Sequence, residues 1–182
     1  RSKRSLGFVL RNAKDFTNTK TVVTLYSSLV KSLLEYASPI WSPTSKVRIK
    51  QIETVQHKFL RFMARKYFGD LEESIDYKVY ERKLKLQSLE LRRVITDIKT
   101  TINSFNGRID SFTFIHHFRF SVPRLRSRYR QVFQTSRDSS IFARLMNNFN
   151  MFCNNFDYLN QNSCSKCILA HVESKFARST AI

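Results

Sequence analysis

Glycine and proline are scarce, with three of each among 182 residues. A Gly-rich phosphate loop needs several glycines within one short turn, so a nucleotide cradle of that type is close to excluded. The same shortage leaves little room for hairpins, and the chain reads as helical. Cysteine also numbers three, an odd count that argues against a secreted disulfide framework and for a reduced, intracellular setting. No apolar run nears the roughly 20 residues of a membrane span, and no secretory apolar segment follows the basic start. No membrane partner is therefore expected. Neither a GxSxG elbow nor an HExxH pair occurs. The only adjacent acids, Glu72 and Glu73, lie in a polar link that a solvated helix start explains better than a metal pair. On its own, this chain is not expected to be an enzyme.

Charge of one sign dominates what is present. The formal net charge is +18, from 32 Lys and Arg against 14 Asp and Glu. Residues 1–69 carry 14 basic against 3 acidic side chains, residues 70–133 carry 13 against 8, and residues 134–182 carry 5 against 3. Such a gradient reads as a footprint for nucleic acid or another anionic surface; a solvated basic surface without a polyanion is the competing reading. Hydrophobic residues make up 42%, with 16 Phe and 7 Tyr, enough for a real core in one domain with or without an appendage. The chain begins Arg-Ser-Lys-Arg rather than with Met, which reads as a piece of a longer polypeptide.

Helical periodicity is the main local signal. From Thr19 to Ala37, Val22, Leu25, Tyr26, Leu29, Val30, Leu33 and Leu34 form an amphipathic stripe. Pro39 and Pro43 then end it. Between those prolines stands Trp41, the only tryptophan, expected to pack as a wedge that fixes the angle to the next helix. That helix should run from Thr44 or Ser45 to Lys66, with Ile49, Ile52, Val55, Phe59, Phe62 and Met63 on its apolar side and Gly69 as its cap. Its other side carries Lys46, Lys50, His57, Lys58, Arg61 and Arg65, a basic ridge able to follow a phosphate backbone by charge. A short helix over about Ile75–Leu84 and a longer one from Ser88 to Phe105 come next, the second stopped at Asn106-Gly107.

Beyond Asp110 the pattern alternates, and a short basic extended arm is expected near residues 117–133. In an extended chain Arg124, Arg126, Arg128 and Arg130 share one side and offer bidentate donors to phosphate. Tyr129, Phe118 and Phe120 are interleaved as possible stacking platforms, although most aromatics are core. Two tail helices are expected, about Ser140–Asn150 and Ser163–Phe176. Cys164, Cys167 and His171 have C-x2-C-x3-H spacing, with Cys153 eleven residues earlier, which could hold zinc. They also fall on one face of an expected amphipathic helix beside Leu159, Ile168 and Val172, where Cys packs as a small hydrophobe, and no metal is assigned to them. His116-His117 lacks partners at metal-ligand spacing. The composition shift near Asn106 divides the chain into a helical domain, residues 1–107, and an arm with C-terminal helices, residues 108–182.

Three stretches, "RSLGFVLRNAKDF", "LYSSLVKSLLEYASPIWSP" and "IKQIETVQHKFLRF", occur in order and close together. With "YERKLKLQSLELRR", "NGRID", "VPRLRSR" and "SSIFARLMNNFN" they resemble the segment after the catalytic palm in reverse transcriptases of LINE-type (non-LTR) retrotransposons, particularly jockey-like elements. The resemblance covers nearly the whole chain. It implies an all-α, thumb-like bundle that holds an RNA–DNA hybrid or duplex while an upstream fingers–palm region adds nucleotides with Mg²⁺. No catalytic Asp-Asp signature is present, so no cofactor is expected in this chain. Lys31-Ser32 departs from the Arg-Pro common in that family, which predicts a straighter helix there. The alternative is a decayed or repurposed element fragment serving as a helical protein-interaction module.

Overall fold

The computed structural model describes residues 1–70, 75–109, 112–121, 131–134, 138, 140–153 and 170–176. The fold is all-α: helices are joined by short links, and among the described residues the only β pairing is one antiparallel bridge, Phe120 with Phe133. The chain packs into two units, residues 1–38 with 43–92, and residues 39–42 with 93–182. The division thus falls inside a helix, between Arg92 and Arg93, rather than near Asn106; the apolar stripe Leu91, Val94, Ile95, Ile98, Ile102 runs unbroken across that point and no loop composition marks the change.

The first unit opens with α1 (Ser2–Asn12), in which Leu6, Val9 and Leu10 have helical spacing. A 3-10 turn follows over Ala13–Asp15. Asn18 then caps α2 (Thr19–Tyr26), its side chain accepting from the Lys20 amide. A π turn over Ser27–Lys31 leads directly into α3 (Ser32–Glu35). The expected straighter helix at Lys31-Ser32 is therefore not found; the regular α pattern is broken there. Its cause is legible in burial. Val22, Tyr26, Val30 and Leu34 are all buried, four residues apart, and on a 3.6-residue helix each such step drifts by about 40°. The extra residue of a π turn unwinds that drift and returns Leu34 to the core side. Leu29 and Leu33, placed on the same stripe by sequence, are instead 41% and 46% exposed.

Helix α5 (Lys46–Tyr67) lies close to its expected bounds, and its end is set by Gly69, whose φ of 66° is the left-handed conformation a glycine adopts without strain. Its buried face is rotated from the expected stripe. Val55, Phe59 and Met63 are in the core as read, whereas Ile49, Ile52 and Phe62 are half-buried and Glu53, Gln56, Leu60 and Ala64 are buried. The two polar residues have work there. The Glu53 carboxylate accepts the amides of Leu89 and Glu90 at 3.4 and 2.5 Å, closing the N-terminus of α7 (Leu89–Phe105), where a negative charge also suits the helix dipole. Gln56 accepts from the Tyr26 hydroxyl and donates to Glu81 and to the Gln87 carbonyl. Burial raises the pKa of both Tyr26 and Glu81. Tyr26 also stacks on Phe59, ring centres 4.0 Å apart. Helix α6 (Tyr77–Lys83) is capped by Asp76.

In the second unit the corner between the prolines is a single turn, α4 (Ser38–Trp41). Trp41 is 41% exposed, whereas Ser38 and Ser42 are buried. The ring is therefore not the buried wedge expected of it. The corner is held through its backbone instead: the Arg144 guanidinium donates to the carbonyls of Pro39 and Ser42 and pairs with Asp97 at 3.1 Å. Asn148 also donates to Asp97 at 2.8 Å. Burial raises the Asp97 pKa even against Arg144. Arg144 belongs to α9 (Ile141–Cys153), which starts where Ser140 caps the Ala143 amide.

A phenylalanine core fills the rest of this unit. Phe133 and Phe149 are fully buried, and Phe105 meets Phe118, Phe120 and Phe133 at 5.1–5.7 Å between ring centres. Phe118 is thus a core residue and not a stacking platform, while Phe120 is 52% exposed. The Asn150 side chain bonds both the amide and the carbonyl of Phe133 at 3.1 and 2.8 Å. It replaces the neighbouring strand that the single bridge cannot supply. The turn α8 (Phe112–Ile115) places His116 edge-on to Phe112 and leaves His117 stacked on Phe142. Both histidines make aromatic contacts. Residues 170–176 are helical.

Candidate nucleic-acid interface

The ridge read from the sequence survives folding on one side of α5. Lys46, Lys50, Lys58, Arg61 and Arg65 are all exposed, and at 100° per residue they fall within an arc of about 120°. From Lys46 to Arg65 the rise is about 28 Å. The ion pairs found among the described residues, Glu35 with Arg92 and Asp97 with Arg144, use none of these cations. His57 differs from them. It is half-buried, and its ring stacks on Tyr77 with centres 4.0 Å apart. Burial, reinforced by the Arg61 charge, lowers its pKa. Neutral at pH 7, it contributes a flat apolar surface rather than a charge to the ridge.

The C-terminal half of the ridge borders a groove of about 500 Å³ lined by Leu10, Lys58, Arg61, Phe62, Arg65 and Lys66. Two of its cations are held in place. Arg61 donates to the Tyr77 hydroxyl at 2.6 Å. Lys66 donates to the carbonyls of Ala13, Lys14 and Phe16, in and just after the 3-10 turn that follows α1. The Tyr67 hydroxyl adds a bond to Phe16 at 2.6 Å. Lys66 escaped sequence reasoning because its role depends on α1 lying alongside α5, and the periodicity of α5 alone carries no trace of that neighbour.

Arg124, Arg126, Arg128, Arg130 and Tyr129 lie outside the described residues, as do Cys164, Cys167, Glu72 and Glu73. Of the expected arm, the described parts are residues 117–121 and 131–133, which meet at the Phe120–Phe133 bridge. Among the described residues, no three His, Cys, Asp or Glu side chains are grouped to hold a metal ion. No helix among them is long and apolar enough to cross a membrane. Compared with protein-family models, curated proteins and solved structures, the chain matches none of them.

Proposed function

We propose that this chain grips nucleic acid through the phosphate backbone and performs no catalysis itself, as the thumb and C-terminal portion of a LINE-type reverse transcriptase would. One observation carries the reading: five cations on one face of α5 remain exposed and outside the ion pairs among the described residues. The chain as a whole carries a net charge of +18, and this face adds to that excess a regular row of cations. A helix that presents Lys and Arg at i, i+3 and i+4 spacing contacts phosphates without reading bases. The duplex or RNA–DNA hybrid is the substrate that such sequence-indifferent contact suits, and the upstream fingers–palm region is the partner that the resemblance implies. Mg²⁺ belongs to that region.

The test is a salt titration of binding to an RNA–DNA hybrid of arbitrary sequence. Neutralising about five to eight phosphates gives a slope of log K against log salt of about −5 to −7. A flat dependence, or no binding at low salt, overturns the reading. It would favour instead the protein-interaction module, for which Leu29, Leu33 and Tyr36 offer exposed apolar surface at 41%, 46% and 80%.

A further inference from the structure

The groove beside the ridge has a composition that duplex contact does not require. A duplex presents phosphates outward and keeps its bases stacked inside, so a helix that holds it by charge has no use for an apolar wall. Here Lys58, Arg61, Arg65 and Lys66 stand around an opening whose remaining lining is Leu10 and Phe62. Phe62 is half-buried, and among the described residues no other ring stacks on it. An unpaired strand, by contrast, exposes phosphate and base together, and its sites combine a cationic channel with an aromatic platform. The size fits: about 500 Å³ lies within the usual range of small-ligand sites and accommodates of the order of one or two nucleotides.

The groove is also prepared before any ligand arrives. Three carbonyls anchor Lys66 at one end, and the Tyr77 hydroxyl orients Arg61, whose other guanidinium donors remain available. Side chains already ordered lose less entropy on binding.

We propose that this groove takes an unpaired stretch of nucleic acid, a phosphate held by Arg61 and Arg65 and the attached base laid on Phe62. The inference rests on the backbone-gripping reading and adds a single-strand subsite to it.

Fluorescence anisotropy on the full 182-residue chain separates the two. Three labelled probes of equal phosphate number are compared at one ionic strength: a thymidine decamer, the same decamer with abasic sugars, and a fully paired hairpin. The decamer is expected to bind about fivefold or more tightly than its abasic counterpart. Phe62→Leu, which keeps apolar volume but removes the ring, should abolish that difference and leave hairpin affinity unchanged. Equal binding of decamer and abasic strand, with hairpin binding retained, overturns the subsite while the ridge stands. Failure to bind any probe overturns both. A glutamate decamer that displaces the thymidine decamer as well as unlabelled thymidine does would reduce the groove to a cation patch and also overturn the subsite. If Phe62→Leu lowers the melting temperature too far for use, the decamer against abasic comparison on the unaltered chain still decides.

Discussion

Arg65 and Lys66 are adjacent cations, but their surroundings give them different work. Lys66 bonds three carbonyls in and just after the 3-10 turn that follows α1, so its removal takes one shared donor from three backbone acceptors. Lys66→Gln should cost about 1–2 kcal/mol, a figure already lowered for the solvent around the ammonium, and depress Tm by a few degrees. Arg65→Gln should leave Tm unchanged and weaken only nucleic-acid binding. Paired thermal melts and binding isotherms check the contrast; equal Tm losses would show that both side chains are structural. His57 provides a second test at this scale. Because folding lowers its pKa, through burial first and the Arg61 charge second, the contribution of neutral His57 to stability is present above its unfolded value near 6.5. It is lost as pH falls through the lower folded value. His57→Phe, which retains a ring against Tyr77, should flatten the decline in Tm as pH falls below about 6.5. An unchanged pH profile would place the titration elsewhere.

At the scale of elements, the π turn over Ser27–Lys31 yields the sharpest consequence. It acts as one extra residue inside an otherwise regular helix, so deleting an exposed residue within it should restore α geometry without turning Leu34 from the core. Deleting Ser28 should shift Tm by only a few degrees. Deleting Thr54, exposed in the regular middle of α5, should rotate the flanking core positions by about 100° and abolish cooperative unfolding. Circular dichroism melts of the two deletions decide it; a collapse on loss of Ser28 would mean that the turn itself is required. This is also where sequence reading reached its limit. Periodicity located α5, α6, α7 and α9 to within a few residues, because each has a stripe, a cap or a glycine stop. It did not separate Leu29 and Leu33 from Val30 and Leu34, since all four suit one broad stripe on an ideal helix and only the unwound turn distinguishes them. Nor did it assign Glu53 and Gln56 to the interior. Their burial depends on an unpaired helix start at Leu89 and a loop carbonyl at Gln87, both more than thirty residues away.

At the scale of the whole molecule, the proposed binding through the ridge and binding through total charge alone make different predictions. Composition points toward an anionic partner but to no surface, and the two packed units are both strongly basic: 19 Lys and Arg against 9 Asp and Glu in the first, 13 against 5 in the second. Trp41 shows the same limit, for the wedge inferred from its size is 41% exposed and the corner is held by Arg144, about a hundred residues distant in sequence. Two triple variants resolve the charge question. Lys50, Arg61 and Arg65 changed together to Gln, and Lys20, Lys78 and Lys99 changed together to Gln, both lower the net charge from +18 to +15, and all six side chains are exposed. If the ridge makes the contacts, the first set should reduce the steepness of the salt dependence by about 2–3, near 0.9 per lost phosphate contact. It should weaken binding equally for hybrids of every sequence. The second set should leave the slope almost unchanged and lower affinity only through the long-range field, an effect that salt screens beyond about 8–10 Å. Equal losses from the two sets would mean that the protein binds as a diffuse polycation, and α5 would then have no special claim as the gripping surface.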